Sequence, residues 1–241
     1  MIHQVIESFN DAAPSYLEHA TIQAKVALWL SEYITQDPNG ASLELGAGPG
    51  LFTKYLLPSA ENLTASDASV SMVELGRKYY PDIHWKVCDV REPLQGLWKN
   101  VYSCSMLQWI ENPDSVFQNI RRILKKDGKL QCSLFIEGTL KEWISVAQAS
   151  GPLTWRTSQT WRKSITQSGL TILKDRVIEE TLFMPSALAC LKSLHLVGAA
   201  PKRMYSPAAL RERMKDYDRL YRTSRGVPVT WVCYQFVAVN A

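Results

Sequence analysis

The stretch Ala41-Ser-Leu-Glu-Leu-Gly-Ala-Gly-Pro-Gly50 constrains this chain more than any other. A short apolar run, Leu43 and Leu45, carries Glu44 into glycines at 46, 48 and 50, and residues 51–57 follow with a helical pattern. A strand that ends in a glycine turn and feeds a helix is the opening unit of a nucleotide-binding α/β sheet. Gly46 and Gly48 let the backbone bend tightly and let a ligand approach where a Cβ would collide. The start of the following helix adds unpaired N–H groups and a positive dipole end.

The rest of the chain repeats the alternation. Strands are expected at 41–46, 62–67, 83–88, 101–106 and 129–136, with helices near 50–57, 70–79 and 114–125. Such a succession predicts a parallel sheet with helices on both faces. Residues 5–36 read as a helical prelude, closed by the turn signal Asp37-Pro-Asn-Gly40. Lys126-Asp-Gly128 is expected as a turn between a helix and a strand. Beyond Gly138 the pattern changes. Helices are expected over 139–149, 158–168 and 186–197, a strand over 169–181, and a last helix capped by Ser206-Pro207. The β-rich run Val229–Val239 is expected as a final antiparallel strand. The expected organisation is one domain: a helical lid (1–40), a ligand-binding core (41–138), a partly inserted cap (mostly 139–225) and a terminal strand (226–241).

Three acids narrow the ligand. The dinucleotide spacing G-x-G-x-x-G fails, because Leu51 fills the third small position. Glu44 stands two residues before the first glycine, where a carboxylate can pair with an amino group. Asp67 closes the second strand, placed to take both hydroxyls of a ribose. Asp89 follows the third strand and can face an adenine amino group. The order E-x-G-x-G-x-G, D, D resembles the signature of class I S-adenosylmethionine-dependent methyltransferases. That resemblance implies S-adenosyl-L-methionine as cofactor, with Glu44, Gly46, Gly48, Gly50, Asp67, Ala68, Met72, Asp89, Val90, Ser105 and Gln108 around it.

Composition bounds the alternatives. The 241 residues are 46% apolar, enough for one sizeable core. No run of about 18 apolar residues is present, so no membrane span is expected. The first residues lack the basic and apolar regions of a secretory signal, and a cytoplasmic location is expected. Five scattered cysteines, at 88, 104, 132, 190 and 233, form no metal-ligand or disulfide pattern. The net charge of +4 is uneven. Residues 1–150 hold 13 Lys and Arg against 17 Asp and Glu, whereas residues 151–241 hold 14 against 6. A basic half points to an acidic partner, nucleic acid or an acidic protein, or else to a solvated helix face. Nucleic acid is disfavoured: no N/D-P-P-Y/F motif follows the fourth strand, and no aromatics interleave the basic residues to stack bases.

Four further segments resemble the malonyl-[acyl-carrier protein] O-methyltransferase family, which acts early in biotin synthesis. Phe9-Asn-Asp-Ala-Ala-Pro-Ser-Tyr16-Leu-Glu-His19-Ala-Thr-Ile-Gln23 is similar to F-x-x-A-A-x-x-Y-D-x-H-A-x-x-Q. Ser103-Cys-Ser-Met-Leu-Gln108-Trp109 is similar to S-N-L-x-x-Q-W. Phe135–Glu142 is similar to L/F-x-x-G-S/T-L-x-E. Leu194–Ala199 and Gly226–Trp231 are similar to L-K/R-x-I-G-A and G-x-P-L-T-Y. Leu17 and His195 depart from the pattern, standing where an aspartate and a basic residue are usual.

The resemblance implies transfer of a methyl group to the free carboxylate of malonyl-acyl carrier protein. A carboxylate is ionised at pH 7, with a pKa near ~4, so no general base is required. The implied site has Tyr16 near the reacting centre, with His19, Gln23 and Trp109 around it. Lys192, His195, Lys202 and Arg203 are candidate anchors for a carboxylate or a carrier phosphate. The basic half, with Arg211, Arg213, Lys215, Arg219, Arg222 and Arg225, would meet the acidic carrier, and the enzyme is expected to be a monomer. Two alternatives stay open: a methyltransferase for another small carboxylate, of the trans-aconitate kind, and a non-catalytic cofactor-binding protein.

Overall fold

The computed structural model describes residues 2–34, 40–147, 155–199 and 205–241. Seven strands form one sheet in the order β3-β2-β1-β4-β5-β7-β6. They are β1 (Ser42–Leu45), β2 (Leu63–Asp67), β3 (His84–Val87), β4 (Trp98–Cys104), β5 (Leu124–Phe135), β6 (Thr171–Met184) and β7 (Val227–Asn240). Every pairing from β3 to β5 is parallel, and β7 runs antiparallel to both β5 and β6. The fold is α/β and Rossmann-like, with the sheet order reversing between β1 and β4. Ligands of such sheets bind outside the strands' carboxyl ends at that reversal.

Side-chain alternation along β1 sets up the site. Leu43 and Leu45 enter the core that also holds Phe117, Ile120, Trp161 and Phe236. Glu44 therefore points to the opposite face, since successive strand residues alternate. That second face packs Ala27 and Leu30 of α2 (Thr21–Ser31), together with Phe52, Val73 and Trp85. The glycine turn leads into α3, which is only Thr53–Leu56 before a 3-10 turn takes over. The helix α4 (Val70–Tyr79) is capped by the Ser69 hydroxyl, and α5 (Pro113–Ile123) by the Asn112 side chain.

Two expectations change. The turn at Lys126–Gly128 lies within β5, as a bulge in its pairing with β4, where Asp127 takes a left-handed φ of 59°. The span 139–225, expected as mostly cap, contains two parts of the main layer. α7 (Ser158–Gln167) buries Trp161 and Ile165 in the sheet core, and β6 is the sheet's edge strand. The cause is amphipathic pattern. Trp161 and Ile165 share one helical face, and β7 has no second neighbour unless β6 pairs along its length. The helices left outside this layer are α6 (Lys141–Ala147), α8 (Ala187–Leu196) and α9 (Pro207–Tyr221).

Two of the resemblance segments lock together here. Glu142 is buried and receives Thr230 N–H at 3.1 Å, and its other oxygen bonds the Thr230 hydroxyl. Thr139 Oγ1 donates to Val232 O at 3.1 Å and accepts from Val232 N at 3.0 Å. Leu140 N donates to Thr230 O at 2.7 Å. Gly226 is needed at its φ of 108°, where a Cβ would fall 2.3 Å from Met184 O.

Candidate active site

A cavity opens at the carboxyl ends of β1, β2 and β4. Glu44, Gly46, Gly48, Asp67, Ala68, Met72, Asp89, Val90 and Ser105 line it, as do Tyr16, Gln23 and Trp109. Its outer wall is α1 (Ile2–His19), which contributes Val5, Ile6, Phe9 and Tyr16. Phe9 sits edge-on to Trp109 (centroids 5.6 Å apart) and to Tyr16 (6.4 Å). The aromatic side of the cavity is thus one packed group spanning α1 and the turn after β4.

The three acids differ in state. Glu44 is almost fully buried, and Thr53 Oγ1 donates to its Oε2 at 2.7 Å. Its Oε1 has no hydrogen-bond partner, so a buried acceptor is left facing the cavity. Burial pushes this carboxyl up to about 8, against the hydrogen bond from Thr53. Asp67 accepts from Gly48 N at 2.9 Å and Ser69 N at 2.8 Å. Burial still raises its pKa despite those bonds. Asp89 is held by Arg91, whose Nε lies 2.9 and 3.0 Å from the two carboxylate oxygens. Those bonds lower the Asp89 pKa.

The glycines divide by role. At Gly48, with φ of 55°, a Cβ would meet nothing within 4 Å, because it would project into the cavity. At Gly46 a Cβ would strike Met106, and at Gly50 it would lie 2.4 Å from the Tyr80 ring. Gly50 is therefore a packing residue outside the cavity, a correction to its expected place against the cofactor. Gln108 is also outside. Its Nε2 donates to Ser105 O at 2.7 Å, bracing the left-handed turn (φ 56°) that puts Ser105 in the wall.

The other expected residues separate. Gln23 is buried with an unpartnered Oε1 at the cavity. Tyr16 has its pKa raised, chiefly by burial and then by Cys104 and Asp67, so its phenol stays neutral. His19 is half-buried at the end of α1 and is not in the wall. Lys192 and His195 are exposed on α8 and also lie outside the cavity. The face of α8 that packs inward is Ala187, Cys190 and Leu194, which turns both cations away. Lys202 and Arg203 lie outside the described residues.

Several wall residues were missed by sequence reasoning, Arg91 and Phe9 among them. Arg91 is the lining cation among the described residues, and its signal was the spacing to Asp89. Phe9 opens the first resemblance segment, where its pairing with Trp109 could not be read.

The geometry suits a cationic, adenosine-bearing ligand. An orphaned carboxyl oxygen suits an ammonium, a bare Gly48 backbone admits close approach, and acids around the glycine turn offer a pyrophosphate no counter-charge. These residues therefore fit S-adenosyl-L-methionine.

Comparison with known proteins agrees with this geometry. Residues 43–132 match the family model described as "Methyltransferase domain". The chain is 24% identical to a malonyl-[acyl-carrier protein] O-methyltransferase of Brevibacillus brevis, over 97% of this chain and 93% of that protein. It is also 24% identical to the biotin biosynthesis bifunctional protein BioHC of Cellvibrio japonicus, over 97% of this chain. There it spans only 49%, about half, of the longer relative. Among solved structures, geranyl diphosphate C-methyltransferase of Streptomyces coelicolor, in complex with Mg2+, geranyl diphosphate and S-adenosyl-L-homocysteine, shares the fold. Its TM-score is 0.58 at 11% identity, covering 89% of this chain and 78% of that one.

Proposed function

We propose that this chain is an S-adenosylmethionine-dependent methyltransferase that esterifies the free carboxylate of malonyl-acyl carrier protein. The observation that carries the reading is the unpartnered Glu44 Oε1 in a cavity roofed by Tyr16, Gln23 and Phe9. The near full-length similarity to enzymes of that name supports the choice of substrate.

In this reading Glu44 accepts the cofactor's ammonium, Asp67 its ribose hydroxyls, and Asp89 and Val90 its adenine. Bound there, the cofactor would supply an electrophilic methyl group, and the substrate carboxylate would be its acceptor. No proton moves, so the protein provides position and a replacement for water rather than a base. Tyr16, neutral and half-buried, donates its O–H to the substrate carboxylate. Gln23 turns its amide N–H the same way, and Trp109 with Phe9 closes the apolar side. Stripping water from a carboxylate is costly unless donors take its place, and these two side chains are the donors. Arg91 keeps one positive charge at the wall. The carrier, itself acidic, approaches the exposed α9 face through Arg211 and Lys215.

Methyl transfer from labelled S-adenosylmethionine tests this directly, with malonyl-carrier protein, malonyl-coenzyme A, free malonate and trans-aconitate compared. Base-labile label on the malonyl-carrier protein is the expected result. Label confined to a free acid would replace the carrier-bound substrate with a small carboxylate. Cofactor binding without label on any acceptor would make the chain a binding protein.

A further inference from the structure

The helix α1 covers the cavity with one face, and its other contacts determine how it is held there. Asn10 follows the cavity residue Phe9, lies outside the cavity wall itself, and reaches the start of α4. Its Oδ1 accepts from Ser69 Oγ at 2.6 Å and from Ser71 N at 3.2 Å. Ser69 is already a junction. Its backbone N–H donates to Asp67 Oδ1 at 2.8 Å, and its hydroxyl oxygen accepts from Met72 N at 3.1 Å. Asp67 in turn holds Gly48 N. A continuous path of hydrogen bonds therefore runs from the covering helix to the acid at the end of β2 and on to the glycine turn.

The helix is tied elsewhere by Ser15, whose hydroxyl donates to Leu196 O of α8 at 3.0 Å. Between the two ties stands Pro14. Having no N–H, Pro14 cannot bond the Asn10 carbonyl, and helices bend at such points. The segment before it, with Val5, Ile6 and Phe9, is therefore held to the rest of the molecule by its side contacts: Ser8 and Phe9 pack against Gly198 beyond α8, and Asn10 bonds the start of α4.

We propose that Asn10 is a positioning residue, the latch that holds the first half of α1 closed over the cavity and couples closure to the ligand on Asp67. The proposal rests on the cofactor reading given above for its second half only. A ribose held by Asp67 stiffens the Asp67–Ser69 turn, and that turn is the seat Asn10 needs. Asn10 uses its oxygen as an acceptor, so an aspartate keeps the latch and an alanine removes it.

Hydrogen exchange of the α1 amides, together with S-adenosylhomocysteine affinity, tests the latch in the full chain. In Asn10→Ala, exchange over residues 3–12 speeds up in the ligand-free protein, and affinity falls about tenfold, as expected for two lost hydrogen bonds. Asn10→Asp stays within about twofold of the parent in both readouts. Ser69→Ala, which leaves Asn10 intact but removes its hydroxyl partner, speeds the same amides. Unchanged exchange in Asn10→Ala, or equal loss in Asn10→Asp, overturns the latch. Faster exchange with unchanged affinity overturns the coupling. Faster exchange in Asn10→Ala, together with a parent protein that binds no S-adenosylhomocysteine, leaves the latch standing and removes the cofactor reading instead.

Discussion

Glu44 carries a conflict between stability and function. A carboxyl that is raised to about 8 in the folded protein binds its proton more tightly than in the unfolded chain. The folded state therefore holds the extra proton between the ordinary carboxylate range and about 8, and its stability falls as pH rises through that window. Glu44→Gln removes the penalty. Its Tm is expected to match the parent near pH 5 and to exceed it near pH 8.5, measured by thermal unfolding without ligand. Cofactor affinity moves the other way, falling about ten- to a hundredfold with the lost charge-assisted bond, as calorimetry would show. In the parent, affinity rises with pH toward 8, because binding an ammonium requires the ionised carboxylate. Residues of this kind were legible in the sequence because an acid at fixed distance from a glycine turn has few other uses. Gly50 was misread for the same reason. Its place in the motif was visible, but the Tyr80 ring that demands it lies thirty residues away and arrives only by packing.

At the scale of elements, α1 and the 139–142 segment show two uses for the resemblance motifs. The first motif forms the covering helix, where Phe9 and Tyr16 face the cavity. The third and last meet as a buried lock between Glu142 and Thr230, neither of which lines the cavity. Glu142→Ala leaves two buried donors on Thr230 without an acceptor, at a cost of about 2–4 kcal/mol. The expected result is a Tm lower by several degrees with cofactor affinity unchanged, from thermal unfolding and ligand titration on the same sample. Loss of affinity in parallel would tie the lock to the site. The edge strand β6 and α7 were legible as a strand and a helix, but not as parts of the sheet. Periodicity reports which face is apolar, and says nothing of which partner covers it.

For the whole molecule, the carrier is the question that charge can address. The six basic residues of the last helix and its exit are not equivalent. Arg219 pairs with Asp216 and Arg222 with Asp218, while Arg213 stacks over Tyr205 and Arg225 over Phe183. Arg211 and Lys215 remain exposed on one face of α9. If the carrier meets that face, kcat/KM for malonyl-carrier protein falls with added salt, and kcat/KM for malonyl-coenzyme A falls less. The double change Arg211→Glu, Lys215→Glu lowers the first about tenfold and spares the second. Equal salt dependence for both substrates would remove α9 as the docking face.

The sequence by itself determined the α/β class, the glycine turn, the three acids and the order of strands along the chain. Each depends on neighbours within a few residues or on side-chain period, which a linear text preserves. The tertiary structure decided which of those residues meet. It placed Gln23 and Tyr16 from the first helices in the same cavity as Glu44, turned Lys192 and His195 of α8 outward, and folded Gln108 back onto Ser105. It also drew 158–184 into the sheet and gave Asn10 a partner fifty-nine residues away. Those outcomes depend on burial and on long-range hydrogen bonds. Such terms are settled only when every element competes for the same core.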